Sequence, residues 1–305
     1  MSSSSPTASP RACPLCSEVS HRLALSIAPY VLSPPAYVQC QRCGLVFHED
    51  ALPEPSFEPV SFESFLSQTK WKLPIYRERL NWLMRRARVP QGRAVDIGTK
   101  DGAAVKVLVE RGWQAIGYDP DDRYHAFAKK SYGVEIRPEW FTAEAVGPGT
   151  LALVTAYHVF EHIPDPLPWL SEVWNALQPQ GILNIQTPNL RRIHATQICI
   201  THVALYTAET LRKVLESSGF KVLAMSEHAP WAGAGTYDQL SVVAQRDRHT
   251  AVQFSLGELD RGAAGVLQRP ILEFPRSRVL PIRVYRAVKR RMHNALGRAA
   301  YHALS

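Results

Sequence analysis

Arg93-Ala-Val-Asp-Ile-Gly-Thr-Lys-Asp-Gly-Ala-Ala-Val105 is a short apolar run that ends in an acid and two glycines and passes at once into a helical pattern. It reads as strand, tight turn and helix. Gly98 and Gly102 allow the backbone to approach a ligand where a Cβ would collide, and the helix that follows offers free N–H groups. A second apolar run closes on Ile116-Gly-Tyr-Asp119, which sets a carboxylate at the tip of the neighbouring strand. In an open parallel sheet an acid there can accept both hydroxyls of a ribose.

This arrangement resembles motif I and the following acidic residue of class I S-adenosylmethionine-dependent methyltransferases, roughly Asp/Glu-x-Gly-x-Gly-x-Gly, with Lys100 at the central glycine. Methyltransferases with an N-terminal zinc module often carry a polar residue at that place, in a form like Glu-Ile-Gly-Ser-Asn-Asp-Gly. A dinucleotide site needs Gly-x-Gly-x-x-Gly, which the spacing from Gly98 to Gly102 does not supply. Further along, Tyr157-His-Val-Phe-Glu-His-Ile-Pro-Asp-Pro166 resembles the His-Val-Leu-Glu-His-x-x-Asp-Pro motif of many small-molecule methyltransferases. The segment 201–211, Thr-His-Val-Ala-Leu-Tyr-Thr-Ala-Glu-Thr-Leu, is similar to the family's His-x-x-x-Phe/Tyr-Ser/Thr-x-x-Thr-Leu. The resemblance covers roughly Cys13 to Ala244. It implies S-adenosylmethionine as cofactor, held by Asp96, Gly98, Gly102, Asp119 and Tyr157.

His158, Glu161, His162 and His202 are the candidate catalytic residues. Imidazole titrates near neutrality, so His158 can serve as a general base, while Glu161 and His162 orient the loop and polarise an acceptor. His158-x-x-Glu-His162 also matches an inverted zinc-protease pattern, but Pro164 and Pro166 deny it the long helix that pattern requires. Metal-dependent relatives, among them ubiquinone-pathway O-methyltransferases and small-RNA 2′-O-methyltransferases, have Glu-x-x-Glu-His here. His158 replaces the first Glu in this chain, and Glu161, His162 and His202 could complete with it an imidazole-rich cluster suited to a transition metal. His194 and His202 are candidates for acceptor contacts. Trp140 and Phe141 lie where the family's loop approaches the adenine.

Cys13-Pro-Leu-Cys16 and Cys40-Gln-Arg-Cys43 are separated by 23 residues with β-prone runs and the Ser33-Pro-Pro35 turn. Two Cys-x-x-Cys turns aim four thiolates at one tetrahedral ion, so a structural zinc is expected on Cys13, Cys16, Cys40 and Cys43. Two such pairs in one small unit fit a redox dithiol less well.

The fold class expected is α/β: a Rossmann-like, doubly wound seven-stranded sheet with an antiparallel last strand, plus a small N-terminal zinc ribbon and a C-terminal basic helix. The expected division is a disordered tail over 1–12, the ribbon over 13–50, a linker and lid helix over 51–90 with the helix at 71–88, the methyltransferase domain over 91–246, and an extension over 247–305. A glycine loop, Trp231-Ala-Gly-Ala-Gly235, lacks the Lys-Ser/Thr of a phosphate loop.

Among the 305 residues 46% are hydrophobic, as in an ordinary globular protein. The formal charge is +8, but residues 276–305 hold eight Arg and Lys and no acid, which leaves the remainder neutral with 27 of each sign. A small-molecule acceptor, such as a sugar or another biosynthetic intermediate, therefore ranks above RNA, which remains the alternative; a non-catalytic methyltransferase-like binding module is the third reading. Val284, Tyr285, Val288, Met292 and Leu296 recur at helical spacing among basic residues, a pattern suited to peripheral contact with an anionic membrane, to packing on the body or, less, to RNA phosphates. The Ser- and Pro-rich start, the lack of a long apolar run and the paired cysteines point to the cytoplasm.

Overall fold

The computed structural model describes residues 11–25, 37–48, 62–193, 201–228 and 239–247. The segments 1–10, 26–36, 49–61, 194–200, 229–238 and 248–305 fall outside them, and with them the Ser33-Pro-Pro35 turn, the first part of the expected linker, His194, the glycine loop and the expected basic C-terminal helix.

In chain order the elements are β1 (His21–Leu25), β2 (Tyr37–Cys40), β3 (Val46–His48), α1 (Phe62–Arg86), β4 (Arg93–Ile97), α2 (Ala103–Glu110), β5 (Gln114–Tyr118), α3 (His125–Tyr132), β6 (Ile136–Arg137), α4 (Ala143–Val146), β7 (Leu151–Tyr157), α5 (Pro166–Ala176), β8 (Leu177–Pro188), β9 (Ala204–Leu205), α6 (Ala208–Ser217), β10 (Phe220–Ser226) and β11 (Gln239–Arg246). Seven strands form one sheet in the order β10-β11-β8-β7-β4-β5-β6. All neighbours from β8 to β6 are parallel, while β11, the last strand among the described residues, runs antiparallel to both β8 and β10. This is the Rossmann-like sheet expected from the sequence. Six of the seven residues of β7 are buried, as a central parallel strand covered on both faces requires.

α1 begins at Phe62 and runs 25 residues through Pro74, so the helix read over 71–88 starts earlier, within the stretch read as linker. β8 begins at Leu177, before the Pro179-Gln-Gly turn, with Gln180 at φ 65. A 3-10 turn, Asp122–Tyr124, precedes α3, with the Asp121 side chain accepting from the Arg123 N–H. Thr207 caps α6, with Oγ1 accepting from the Thr210 N–H at 3.1 Å.

β1, β2 and β3 form a small antiparallel sheet that β9 completes, Val46 facing Leu205 and Phe47 facing Ala204. The cysteine-bearing module is thus not a separate bead. Cys13, Val38, Leu45 and Phe47 share one hydrophobic core with Val95, Phe160 and Tyr206 of the larger domain. Among the described residues no helix is long and apolar enough to cross a membrane.

Candidate active site

The carboxyl ends of β7, β4 and β5 lie side by side, and the chain leaves them through His158, Gly98 and Asp119 respectively. After β4 the backbone turns with positive φ at Gly98 (67°), Lys100 (51°) and Gly102 (75°). A Cβ on Gly98 would stand 2.4 Å from Cγ2 of Val159, in the loop after β7. That close approach seats the glycine turn directly against the histidine-bearing loop.

Asp119 is buried and turned toward the glycine turn, not toward bulk solvent. Its Oδ2 accepts from the Lys100 N–H at 2.6 Å and its Oδ1 from the Asp121 N–H at 2.9 Å. Burial raises this carboxyl while the two N–H groups oppose the rise. Each oxygen keeps a second lone pair for a ligand hydroxyl. Lys100, which replaces a glycine, directs its ammonium to within 5.3 Å of the centre of the Tyr124 ring. Asp101 accepts from the Ala103 N–H at the start of α2 and is ion-paired with Lys72 of α1, so α1 is tied to the glycine turn.

Asp96, beneath the turn, is 2% exposed and accepts from the Thr155 hydroxyl at 2.5 Å. Burial pushes its carboxyl up to about 7, against the opposing effects of Thr155 and Arg79. The folded state therefore binds this proton more tightly than the unfolded state does, and the acid weakens the fold as pH rises from the ordinary carboxylate range to about 7. Asp96→Asn, whose amide oxygen can still accept from Thr155, is expected to raise the melting temperature at pH 8 and leave it unchanged at pH 4. The gain is at most on the order of 4 kcal/mol. Differential scanning calorimetry at the two pH values checks it.

Tyr157 at the end of β7 donates its hydroxyl to Asn184 Oδ1 at 2.9 Å. Its ring lies 5.5 Å from that of Tyr76, and the Arg79 guanidinium sits 4.8 Å from its centre. Tyr76 and Arg79, three apart on α1, therefore close over the β4 and β7 ends. Arg79 was not among the sequence candidates, although a cation three residues from a helical tyrosine was the available signal. Phe141 is core, edge-on to Tyr118 at 5.6 Å, whereas Trp140 is 62% exposed.

His158 has φ 60°, a left-handed backbone that is costly outside glycine. It is fixed there by its N–H to the Gln186 carbonyl at 2.8 Å. Its Nδ1 faces Glu161 Oε1 at 3.2 Å. With the carboxylate accepting, Nδ1 carries the proton and Nε2 offers its lone pair on a side chain 34% exposed. Glu161 is fully buried and its Oε2 accepts from the Thr187 hydroxyl at 3.0 Å. Burial alone would raise its carboxyl, but His158, His162 and His202 around it hold it down at about 2. His162 donates Nδ1–H to the Thr201 carbonyl at 2.7 Å, and its ring meets that of His202 edge-on at 4.8 Å; burial lowers its pKa. The four predicted catalytic residues are thus brought together. Thr187, which steers Glu161, was not foreseen. Ligand atoms of Glu161, His162 and His202 lie within 4.8 Å of one another, although both Glu161 oxygens already accept protein donors.

The Cys13, Cys16, Cys40 and Cys43 sulfurs also lie within 4.8 Å of one another, with Cys13 and Cys43 at 3.3 Å and Cys16 and Cys40 at 3.5 Å. None is in a disulfide. Tetrahedral zinc with Zn–S of about 2.3 Å has sulfur edges of roughly 3.8 Å, so the cluster fits such an ion with small adjustment. The Cys43 N–H points at Cys40 Sγ at 3.3 Å. Neighbouring sulfur pushes Cys13 up to about 12, burial raises Cys16, Cys43 rises and Cys40 falls beside its neighbours. A divalent cation removes that conflict by favouring all four thiolates.

Fold and site define a doubly wound α/β protein with its candidate chemistry at the carboxyl edge of the parallel strands. A family model described as a methyltransferase domain matches residues 74–225, and over that span the chain is a class I S-adenosylmethionine-dependent methyltransferase domain. The ubiquinone biosynthesis O-methyltransferase of Pseudomonas aeruginosa is 28% identical over 117 residues, 36% of this chain and 50% of that protein. The C-methyltransferase NovU of Streptomyces niveus is 27% identical over 202 residues, 63% and 48% of the two chains. The chain thus spans about half the length of these curated relatives. A solved S-adenosylmethionine-dependent methyltransferase from Mesorhizobium loti aligns with TM-score 0.45 and 17% identity over 55% of this chain and 97% of its own.

Proposed function

We propose that the chain transfers a methyl group from S-adenosylmethionine to a small-molecule acceptor, of sugar or other biosynthetic-intermediate type. The observation that carries this reading is the contact of the Asp119-anchored glycine turn with the loop bearing the His158–Glu161 pair. When bound, S-adenosylmethionine supplies an electrophilic methyl group on a sulfonium. Asp119 would accept the ribose hydroxyls, and Gly98 and Gly102 would permit close backbone approach. Asp96 and Tyr157 wall the adjoining floor. His158 Nε2 would take the proton that the acceptor loses as its nucleophilic atom replaces sulfur on the methyl carbon, with S-adenosylhomocysteine as the other product. Glu161, turned by Thr187, then steadies the imidazolium. Alignment and exclusion of water supply the rest.

Relatives named as an O-methyltransferase of ubiquinone biosynthesis and as a C-methyltransferase support a small acceptor. The excess of positive charge confined to 276–305 argues against RNA along the body and suits an anionic membrane surface. Titration with S-adenosylhomocysteine, followed by methyl transfer to a panel of sugars and phenols, tests the reading. Saturable binding and transfer to one panel member are expected; absence of binding would leave a non-catalytic module, and strongly salt-dependent RNA binding would favour RNA.

We also assign structural zinc to Cys13, Cys16, Cys40 and Cys43, a closed four-thiolate set with no open position. One zinc per chain is expected by elemental analysis, and none in a Cys40→Ser/Cys43→Ser variant. Should that variant, after chelation, keep the transfer activity, no second metal acts at Glu161, His162 and His202.

A further inference from the structure

Segment 201–205 runs between the cysteine-bearing sheet and the loop after β7. Three successive carbonyls of this segment accept from three places: Thr201 from the His162 ring at 2.7 Å, His202 from the Tyr37 hydroxyl at 2.7 Å, and Val203 from the His48 N–H at 3.0 Å. In the other direction the Val203 N–H donates to the Glu161 carbonyl at 2.7 Å. Tyr37 is fully buried, and its ring packs 4.9 Å from that of His48. Arg11 adds a second tie, donating to the Pro164 carbonyl at 3.1 Å and to the His48 carbonyl at 3.4 Å.

We propose that the cysteine-bearing sheet builds the acceptor side of the site, with Tyr37 the positioning residue that fixes His202 and, through it, His162. The proposal rests on the reading of these histidines as acceptor-side groups. An unsupported segment 201–203 would leave His202 free to rotate away from His162 and would slacken the peptide that holds Glu161. The module therefore works as a wall of the site in addition to any role in docking. Arg22 provides the control, since it bonds Gln39 Oε1 within the same module at 3.1 and 2.7 Å.

The test uses the full chain as wild type, Tyr37→Phe, Arg11→Ala and Arg22→Ala. Imidazole resonances are assigned by single His→Gln changes, and S-adenosylhomocysteine affinity is measured by calorimetry. Tyr37→Phe keeps the ring and loses only the hydroxyl; it should displace the His162 and His202 resonances, leave those of His125 in place, and keep cofactor affinity. Arg11→Ala, a change at the module's rim, should displace His162 even if Tyr37→Phe proves unstable. Transfer to a competent acceptor should fall roughly tenfold or more in Tyr37→Phe, as expected for a misplaced group. Unmoved His162 and His202 resonances in both variants, or an equal displacement in Arg22→Ala, would overturn the proposal. Wild-type protein that fails to bind S-adenosylhomocysteine would instead sink the methyltransferase reading, and the resonance comparison would still decide the positioning role.

Discussion

Gly98→Val is expected to abolish S-adenosylhomocysteine binding in calorimetry, and Asp119→Ala to weaken it by at least about 100-fold, the loss of charge-assisted hydrogen bonds of roughly 1.5–3 kcal/mol each. For Gly98 two effects compound. A left-handed backbone costs an L-residue about 1–2 kcal/mol, more for a β-branched one, and the new Cβ would stand 2.4 Å from Val159 Cγ2. The clash is with protein, so the variant also displaces the His158–His162 loop. Gly98→Ala combined with Val159→Ala separates the causes: the clash is relieved while any obstruction of the cofactor persists. Recovery of wild-type affinity in that pair would mean that Gly98 serves packing alone. Asp119 has a structural duty as well, since its oxygens hold the Lys100 and Asp121 N–H groups. Asp119→Asn keeps an oxygen for one of them and should lose less affinity than Asp119→Ala.

The second large effect concerns the base. His158→Ala should lower methyl transfer by about 10²–10⁴-fold, the usual contribution of a positioned proton acceptor, with S-adenosylhomocysteine affinity unchanged. Glu161→Gln should reduce transfer by a similar route, because an amide cannot steady an imidazolium, while its oxygen can still accept from Thr187. The sign of the pH effect follows from Glu161. Its folded-state pKa lies at about 2, below the ordinary 4.5, so its stabilising contribution is complete above the ordinary value and is lost as pH falls toward 2. That contribution is on the order of 3 kcal/mol. Acid unfolding of Glu161→Gln followed by circular dichroism should lack this component. Equal transfer by wild type and His158→Ala would remove the base from the account.

The parallel core was legible because β4, β5 and β7 are short apolar runs bounded by glycine turns, a signal carried by neighbouring residues. The site was legible for the same reason at Gly98, Gly102 and Asp119, and within 157–162, where spacing along the chain predicts which groups meet. Contacts that join distant segments were not. Thr187 meets Glu161 across 26 positions and Tyr37 meets His202 across 165, and neither leaves a periodic trace. Lys100 was readable as an oddity in the motif, but only the structure shows that its N–H supports Asp119 while its ammonium turns to Tyr124.

The claim under all of this is that a nucleoside sits across the ends of β4 and β5 with its sugar on Asp119. A crystal structure of the full chain with S-adenosylhomocysteine measures that directly. Both ribose hydroxyls within hydrogen-bonding distance of the Asp119 carboxylate is the predicted result; a nucleoside bound elsewhere, with Asp119 still engaged only by the Lys100 and Asp121 N–H groups, would contradict it.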